Sequence, residues 1–496
     1  MTDKKKNIAT VTLPDSVDTP RYDRSALRPR IVHIGFGAFH RAHQALLTHR
    51  VLNQEGGDWG LCEVVLFSDD SLISALREQQ HLFTVLEKAE NGNQAIVVGA
   101  VCASLHAAVE GKEAILSQLA DAQTEIVSLT ITEKGYCLAG AHGHLDTSNT
   151  HIQHDLRYPR EPLSVPGIIT EALRRRHEQG IPPFSVLSCD NMPENGKAAQ
   201  RAVLDFARLI APALAAWIDR EVAFPSTMVD RIVPATTAQT LNDVAEAIGV
   251  EDPCAVACEP YIQWVVEDHF TLGRPHWEAA GVQVVKDVVP YETMKLRMLN
   301  GSHSFLAYLG YLAGYTHISD CMVDKHFRHA VRHLMLEEQA PTLTITDVDL
   351  TDYAEGLLKR FANPALHHRT WQIAMDGSQK LPQRLLDGLR WHRHNGSSCD
   401  ALILGVAGWM RYIGGRDDNG EAIDIRDPMN TTLQSIVTST QDDETRVQGL
   451  LALTAVFGHD LGTDQQLVQA LTASYLHLRD KGALAAVTQL AQNLPV

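Results

Sequence analysis

The sequence predicts an α/β protein in which a doubly wound parallel sheet is followed by a mainly α-helical C-terminal domain. Its 496 residues exceed what one ordinary hydrophobic core organises. From Arg30 to about Gly281, short β-rich runs alternate with helical stretches, and after Pro290 helical patterns dominate. We therefore expect residues 1–285 to form a first domain and residues 286–496 to form a second.

Four apolar runs in the first half predict the strands of the sheet. Each run ends in polar or glycine residues just before a helical stretch, which is typical of parallel strands covered on both faces. The runs span residues 31–34, 63–67, 126–131 and 184–189. Ligands bind such sheets at the carboxyl ends of their strands.

The second half predicts long helices and few strands. The predicted helices span residues 291–311, 326–339, 352–361, 381–394, 401–412 and 464–479. Because the helix at 291–311 opens this domain, we expect a small-molecule cleft between the two domains.

Composition excludes several classes of protein. The net charge of −17, with 43 basic against 60 acidic residues, argues against nucleic-acid binding. The first twenty residues lack the apolar core of a signal peptide, and no window approaches the ~18 apolar residues of a membrane helix. Eight scattered cysteines favour a reduced compartment. We expect a cytoplasmic protein without a membrane segment and leave its oligomeric state open.

The helix at 291–311 carries three polar residues within an apolar segment, Lys295, Asn300 and His303. On an α-helix they fall within an arc of ~140° that also contains three leucines, so this arc is expected to be buried. A buried ammonium tends to lose its proton near neutral pH. Lys295 is therefore a candidate general base, with a lysine snorkelling along an apolar surface as the alternative.

A glycine-rich turn follows the first predicted strand and indicates a Rossmann-type dinucleotide site. Gly35 would make the tight turn, and Gly37 would let the backbone approach a pyrophosphate at the next helix. The third glycine of the usual fingerprint is replaced by His40. The predicted cofactor contacts in this turn are Ile34, Gly35, Phe36, Gly37, Ala38, Phe39, His40 and Arg41.

The second predicted strand leads into Asp69 and Asp70. An acidic residue here binds the ribose hydroxyls of NAD and repels the 2′-phosphate of NADP, so Asp69 favours NAD as the cofactor. Its spacing from Gly35 exceeds the usual ~20 residues, and two aspartates that cap a helix are the alternative interpretation.

Five motifs together resemble the polyol-specific long-chain dehydrogenase/reductase family, or mannitol dehydrogenase family, from about Arg30 to the end of the helical domain. The motifs are GFGAFHRAHQA, SLTITEKGY, SCDNMPENG, TMVDRIVP and MKLRMLNGSHSFLAYLGYL. Later blocks, HHRTWQIAMDGSQKLPQR and LGVAGWMRY, look closest to the fructuronate reductase (D-mannonate oxidoreductase) branch. The resemblance implies a metal-independent hydride transfer between a nicotinamide and a small sugar acid or polyol.

The resemblance also implies roles for individual residues. Lys295 would be the catalytic acid/base, Asn191 and Asn300 would hold the reacting oxygen, His303 would contact the substrate, and Asp230 would lie nearby. Amide N–H groups that donate to an oxygen as its charge develops form a preorganised oxyanion site.

One departure from the mannitol dehydrogenases concerns substrate. Gln372 stands where we expect their arginine, and a sugar acid needs a partner for its carboxylate. Lys380, Arg369 and Arg384 are the candidates, and an arginine could pair with it bidentately. We therefore predict interconversion of D-mannonate and D-fructuronate, with mannitol 2-dehydrogenase or tagaturonate reductase-like activity as the alternative.

Three rival interpretations remain. Tyr291 and Lys295 fit the Tyr-Lys pair of short-chain dehydrogenases, although that pair lies much closer to its glycine loop. A zinc-dependent polyol dehydrogenase could use His329, His333 and Glu337, which recur every four residues. A non-catalytic NAD-binding sensor is the third, because fold does not fix function.

Overall fold

The computed structural model describes residues 6–89, 91–139, 143–366, 368–440 and 442–494. The chain divides into two compact units, Met1–Val289 and Pro290–Val496. No helix in these described ranges combines the length and apolar character needed to span a membrane.

The described strands all lie in the first unit and form one large and two small sheets. They are β1 (Arg28–Ile34), β2 (Trp59–Val65), β3 (Phe83–Ala89), β4 (Gly92–Val98), β5 (Val101–His106), β6 (Ile126–Leu129), β7 (Ser185–Ser188), β8 (Thr227–Asp230), β9 (Val256–Cys258), β10 (Gln263–Glu267) and β11 (Gln283–Val285). The large sheet has the order β5-β2-β1-β6-β7, with every neighbouring pair parallel. The small sheets have the orders β11-β10-β8 and β4-β3-β9.

Alternating side chains of the large sheet enter two separate cores. In β1, Ile31 joins one hydrophobic cluster, whereas Val32 and Ile34 join another on the opposite face. Both faces are therefore covered, which confirms the prediction of a doubly wound parallel sheet. The α-helices of this unit are Ala38–His40, Leu46–Glu55, Ser71–Glu78, Gly111–Ala120, Thr132–Gly135, Thr150–Arg157, Val165–Gln179, Asn195–Ile210, Pro212–Glu221 and Ala238–Ile248.

The second unit is built from helices, as predicted. Its first helix begins at the end of the first unit, with the segment Val289–Met294. The α-helices that follow are Ser302–Leu312, Ile318–Val323, Lys325–His333, Leu350–Phe361, Thr370–Ala374, Gly377–Leu381, Asp387–Asn395, Asp400–Tyr412, Asn430–Ser439, Asp443–Leu451, Thr454–Phe457, Gln465–Lys481 and Ala483–Asn493.

Three segments of the second unit are π-helical where the sequence predicted α-helix. They are Lys295–Gly301, Leu334–Gln339 and Pro382–Leu386. A π-helix bonds each residue to the fifth along the chain, so residues five apart come onto nearly the same face. Lys295 and Asn300 are five apart, and they lie closer in direction than the ~140° of an α-helix.

The three π-helical segments meet at Gly301. A Cβ atom on this glycine would lie 2.6 Å from the carbonyl oxygen of Arg384 and 3.0 Å from Nε2 of Gln339. Gln339 Nε2 also donates to the Arg384 carbonyl at 2.9 Å. This tertiary packing overrides the α-helical periodicity that the sequence suggests.

Candidate active site

The glycine turn between β1 and the next helix has the geometry of a dinucleotide-binding loop. Gly35 has φ = +111°, and a Cβ there would lie 2.1 Å from the Thr130 carbonyl oxygen, so a side chain is excluded. Gly37 has an extended backbone (φ −85°, ψ 172°), and its Cβ would meet only the Gly35 oxygen at 3.9 Å. Neither the backbone conformation nor the packing requires a glycine at position 37. The space beside Gly37 is open, so a ligand could approach its backbone closely.

The helix that follows this turn can receive an anion. It begins at Ala38 and continues through π-helical Arg41–Ala45 into Leu46–Glu55, and no side chain caps its N-terminus. The first N–H groups of a helix attract phosphate because they lack partners within the helix. The described residues therefore fit a pyrophosphate at this position.

Several predicted cofactor-binding side chains point into the protein. Phe36, His40 and Arg41 are buried, and Arg41 donates through Nη1 to the Cys254 carbonyl at 2.5 Å and through Nε to the Gly37 carbonyl at 3.3 Å. These side chains hold the loop from within, so they could contact a cofactor only through their backbone. Ile34 is also buried, Ala38 and Phe39 are half-buried, and Gly37 is exposed.

A buried polar row lies beneath the loop. Strand register places His33 of β1 opposite Glu63 of β2 and Ser128 of β6, on one face of the sheet. His33 Nδ1 lies 2.7 Å from Ser128 Oγ, and its Nε2 lies 3.0 Å from the Gly35 carbonyl oxygen. His40 stacks on His33, with ring centroids 3.4 Å apart, and places its Nε2 2.9 Å from Glu63 Oε1.

Burial favours the neutral form of both partners in the His40–Glu63 pair. Burial raises the pKa of Glu63 to about 7 and lowers the pKa of His40 to about 3. We infer a carboxyl group that donates to a neutral imidazole, since an ion pair in this position would carry two desolvated charges.

His33, His40 and Glu63 are the one group of possible metal ligands found among the described residues. The ligand atoms of His33, His40 and Glu63 lie within 4.8 Å of one another. The imidazole rings are stacked with only 10° between their planes, so their nitrogens point in parallel directions rather than toward one ion. Both nitrogens of His33 already have hydrogen-bonding partners. The geometry fits a hydrogen-bonded cluster better than a metal centre.

The zinc interpretation of His329, His333 and Glu337 gains no geometric support. A π-helical segment begins directly after His333 and breaks the four-residue repeat, and Glu337 is exposed. Within the part of the chain that the structure describes, these three side chains do not form a metal-ligand group.

Asp69 is exposed just beyond β2. Its Oδ1 accepts hydrogen bonds from the backbone N–H of Ser71, at 3.0 Å, and from the Ser71 hydroxyl. These bonds lower the pKa of Asp69, so the carboxylate is ionised at neutral pH. The carboxylate thus supports the start of helix Ser71–Glu78 and still faces solvent.

Asn191 is exposed on a loop that follows the carboxyl end of β7. Buried Asp190 accepts hydrogen bonds from the Thr132 N–H at 2.9 Å and from the Tyr136 hydroxyl at 2.7 Å. Asn195 accepts from the Thr227 N–H at 2.9 Å and donates to the Thr227 carbonyl at 2.9 Å. The loop is therefore fixed to the residues that follow β6 and to the first residue of β8.

Sequence reasoning missed these anchoring residues. Asp190, Asn195 and Tyr136 lie within the motifs SCDNMPENG and SLTITEKGY, and the available signal was the presence of ionisable and amide groups directly after apolar strands. Asp230, predicted near the substrate, is buried at the end of β8.

In the second unit, the three predicted catalytic residues are buried on one helical segment. Lys295, Asn300 and His303 are each only 6% exposed, as the sequence predicted. Asn300 Nδ2 and His303 Nε2 have no hydrogen-bonding partner among the described residues. The His303 ring lies 4.3 Å from the ring of Phe361 and 5.2 Å from that of His368. Buried polar atoms in proteins nearly always have a partner, so these two atoms are suited to bind water or a ligand.

The candidate carboxylate-binding residues differ in their environments. Arg384 donates through Nη1 to the Ser304 hydroxyl at 3.2 Å, one residue beyond His303. Lys380 donates to the Met375 carbonyl at 2.6 Å, and burial lowers its pKa to about 8. Arg369 is exposed. The structure thus places Arg384 against the helix of Lys295, whereas Lys380 bonds to backbone carbonyls.

Family models of two domains match this chain. The mannitol dehydrogenase Rossmann domain matches residues 29–279, and the mannitol dehydrogenase C-terminal domain matches residues 287–479. The chain is 60% identical over 480 residues to the uncharacterised oxidoreductase YeiQ of Escherichia coli, covering 97% of this chain and 98% of that protein. It is 53% identical over 485 residues to the D-mannonate oxidoreductase of Escherichia coli, covering 97% of this chain and 100% of that protein.

A solved structure shares the whole fold. Mannitol 2-dehydrogenase of Pseudomonas fluorescens, in a ternary complex with NAD and D-mannitol, superimposes with a TM-score of 0.86 at 39% identity. The match covers 97% of this chain and 98% of that one.

We predict that the His40–Glu63 pair stabilises the protein as a neutral hydrogen bond. Glu63→Gln keeps an N–H donor toward His40, so the free energy of unfolding should stay within about 1 kcal/mol of the original. Glu63→Ala leaves His40 without its partner and opens a void, so about 3 kcal/mol should be lost. Urea unfolding at neutral pH measures both, with Glu78→Ala as the control for an exposed glutamate.

The pH dependence of this pair follows from its pKa values. Between pH 4.5 and 6.5 the unfolded chain holds one proton on the histidine, and the folded chain holds one proton on Glu63. In that window the two states hold equal numbers of protons, so the pair's contribution to the free energy of unfolding changes little with pH. That contribution is lost as pH falls from 4.5 toward 3, because only the unfolded chain gains a second proton there. An equal loss of unfolding free energy in Glu63→Gln and Glu63→Ala would contradict the neutral hydrogen bond and favour an ion pair.

Proposed function

The chain belongs to the mannitol dehydrogenase family, and from that premise we propose that it is an NAD-dependent oxidoreductase that interconverts D-mannonate and D-fructuronate. The observation that carries the proposal is the buried group of Lys295, Asn300 and His303, in which two polar atoms lack partners among the described residues. The similarity to a D-mannonate oxidoreductase supports a sugar acid as the substrate.

The first unit supplies the cofactor site in this proposal. Gly35 and Gly37 would admit the pyrophosphate, the helix beginning at Ala38 would attract its charge, and Asp69 would bind the ribose hydroxyls. When bound, NAD accepts the hydride that leaves the substrate carbon during oxidation. An ionised Asp69 disfavours NADP because its extra phosphate would lie against a carboxylate.

Proton transfer falls to Lys295. In the oxidation direction its neutral amine removes the hydroxyl proton as the hydride leaves, and in reduction its ammonium returns the proton. Asn300 donates amide N–H groups to the oxygen while negative charge develops on it. His303, neutral because its pKa lies well below the usual range, orients a neighbouring hydroxyl. No step in this scheme requires a metal ion.

A second candidate function is mannitol 2-dehydrogenase activity. The observation in its favour is the shared fold with the Pseudomonas fluorescens mannitol 2-dehydrogenase. Gln372, at the position where we expect an arginine in those enzymes, makes us rank it below the sugar-acid reaction.

We predict that the protein oxidises NADH in the presence of D-fructuronate and that Lys295→Ala lowers kcat by about 10³-fold. The affinity for NADH should hardly change, because the loop that binds it belongs to the other unit. Absorbance of the reduced nicotinamide measures turnover, and equilibrium titration measures the Kd for NADH. Lys359→Ala, which removes an exposed lysine of the same unit, should leave both values unchanged.

Two results would count against this account. If Lys295→Ala abolished NADH binding, Lys295 would be a structural residue. If the original protein bound NADH but reduced no hexuronate or ketose, the non-catalytic sensor would be the better interpretation.

Asp69→Ala should relax the preference for NADH over NADPH, because it removes the carboxylate that repels a 2′-phosphate. The measurement is the ratio of kcat/KM for the two cofactors with one substrate. Asp70→Ala is the matched control, since Asp70 is also exposed and bonds only weakly to Ser74 Oγ, at 3.4 Å. An unchanged ratio in Asp69→Ala would remove Asp69 from the cofactor site.

A further inference from the structure

Two buried nitrogen atoms of the second unit that lack partners among the described residues belong to side chains at or against the helix of His303. Among the described residues, Asn300 Nδ2 and Arg384 Nε have no partner, and both atoms can only donate. The Tyr308 hydroxyl and His303 Nε2, buried on the same helix, also lack partners. A buried donor without an acceptor is costly, so Asn300 Nδ2 and Arg384 Nε favour a ligand that offers acceptors.

Arg384 contacts the helix that carries the other three groups. Arg384 donates through Nη1 to the Ser304 hydroxyl at 3.2 Å, and its backbone carbonyl packs against Gly301. On this helix Gly301 directly follows Asn300, and Ser304 directly follows His303. Arg384 is therefore anchored beside the residues that we propose to handle the reacting oxygen.

Positive charge is concentrated around His303. After burial, the charges that lower the pKa of His303 most come from His368, Arg384, Arg360 and Lys295, in that order. Burial lowers the pKa of His368 to about 4, so it is neutral at neutral pH and contributes no charge there. Burial lowers the pKa of Arg384 only to about 10, so it remains a cation, and arginine cannot give up its charge as a buried lysine can.

Arg360 places a second guanidinium in this region. It is only 8% exposed and directly precedes Phe361, whose ring lies 4.3 Å from that of His303. A neutral hydroxyl would act as both donor and acceptor here, whereas a carboxylate accepts only and carries the opposite charge.

We propose that Arg384, assisted by the charge of Arg360, binds the carboxylate of the substrate and so selects sugar acids over neutral polyols and ketoses. This inference rests on the proposed function and names the residues that set its substrate class. Arg384 is the specificity-determining residue, and Arg360 strengthens the positive field around it.

The test compares two substrates that differ in one group. D-fructuronate carries a carboxylate where D-fructose carries a hydroxymethyl group, at the end remote from the ketone. Arg384→Gln should lower kcat/KM for D-fructuronate by about 10- to 100-fold and change the value for D-fructose by less than about threefold. Arg360→Gln should shift the ratio in the same direction by a smaller factor.

Two further variants separate specificity from folding. Arg384→Lys keeps the charge but loses the planar fork, so its loss with D-fructuronate should be intermediate. Arg297→Gln is the matched control. Arg297 lies on the helical segment of Asn300 and donates to the Thr342 carbonyl at 2.7 Å, so its removal should leave the ratio of kcat/KM for the two substrates unchanged.

The outcomes distinguish this inference from the proposed function. A parallel fall in kcat/KM for both substrates in Arg384→Gln, or an unchanged ratio, would overturn the assignment of Arg384. An original protein that reduces D-fructose as efficiently as D-fructuronate would also overturn it, while leaving the dehydrogenase activity intact. An original protein that reduces neither would contradict the proposed function itself.

Discussion

The close approach of three π-helical segments at Gly301 is the constraint on which the second unit's candidate site depends. The Arg384 carbonyl and the Gln339 amide occupy the space that any side chain at Gly301 would need. The widened turn from Lys295 to Gly301 brings Asn300 onto nearly the same face as Lys295. The same contact fixes the backbone of Arg384 beside that face. One packing contact therefore positions both the catalytic side chains and the charge of Arg384.

Burial acts differently on groups that can lose their charge and on arginines. It makes His33, His40 and His303 neutral at physiological pH and favours a protonated Glu63, because each of these groups can shed its charge. An arginine cannot shed its charge, so it must be matched by an anion or by carbonyl oxygens. Arg41 satisfies this need with backbone carbonyls beneath the glycine loop. Arg384 meets it only in part, and that difference separates a structural arginine from one suited to a ligand.

The sequence predicted the parts of the fold that local patterns determine. Apolar runs ending in polar residues located β1, β2, β6 and β7 of the large sheet but not β5, and helical periodicity located most of the long helices of the second unit. The π-helical turn at 295–301 could not be found in this way, because seven residues are too few to distinguish its period from that of an α-helix. The small sheet that joins β3 to β9 was missed for another reason, since its strands are far apart in sequence.

In the candidate site, too, the sequence predicted some features and could not reveal others. The positions of Lys295, Asn300 and His303 followed from residue type and spacing, and their burial agrees with that prediction. The polar row of His33, Glu63 and Ser128 depends on strand register, which a single sequence does not reveal. Among three basic residues, the sequence could not single out Arg384, because only tertiary contacts show which side chain lies against the helix of His303.

The most direct test of this account is the turnover of a Gly301→Ala variant. The added methyl group must displace the Arg384 carbonyl, so we expect a large fall in kcat with D-fructuronate while the affinity for NADH is retained. A variant that turns over at the original rate would show that the meeting of the three π-helical segments does not position the catalytic groups.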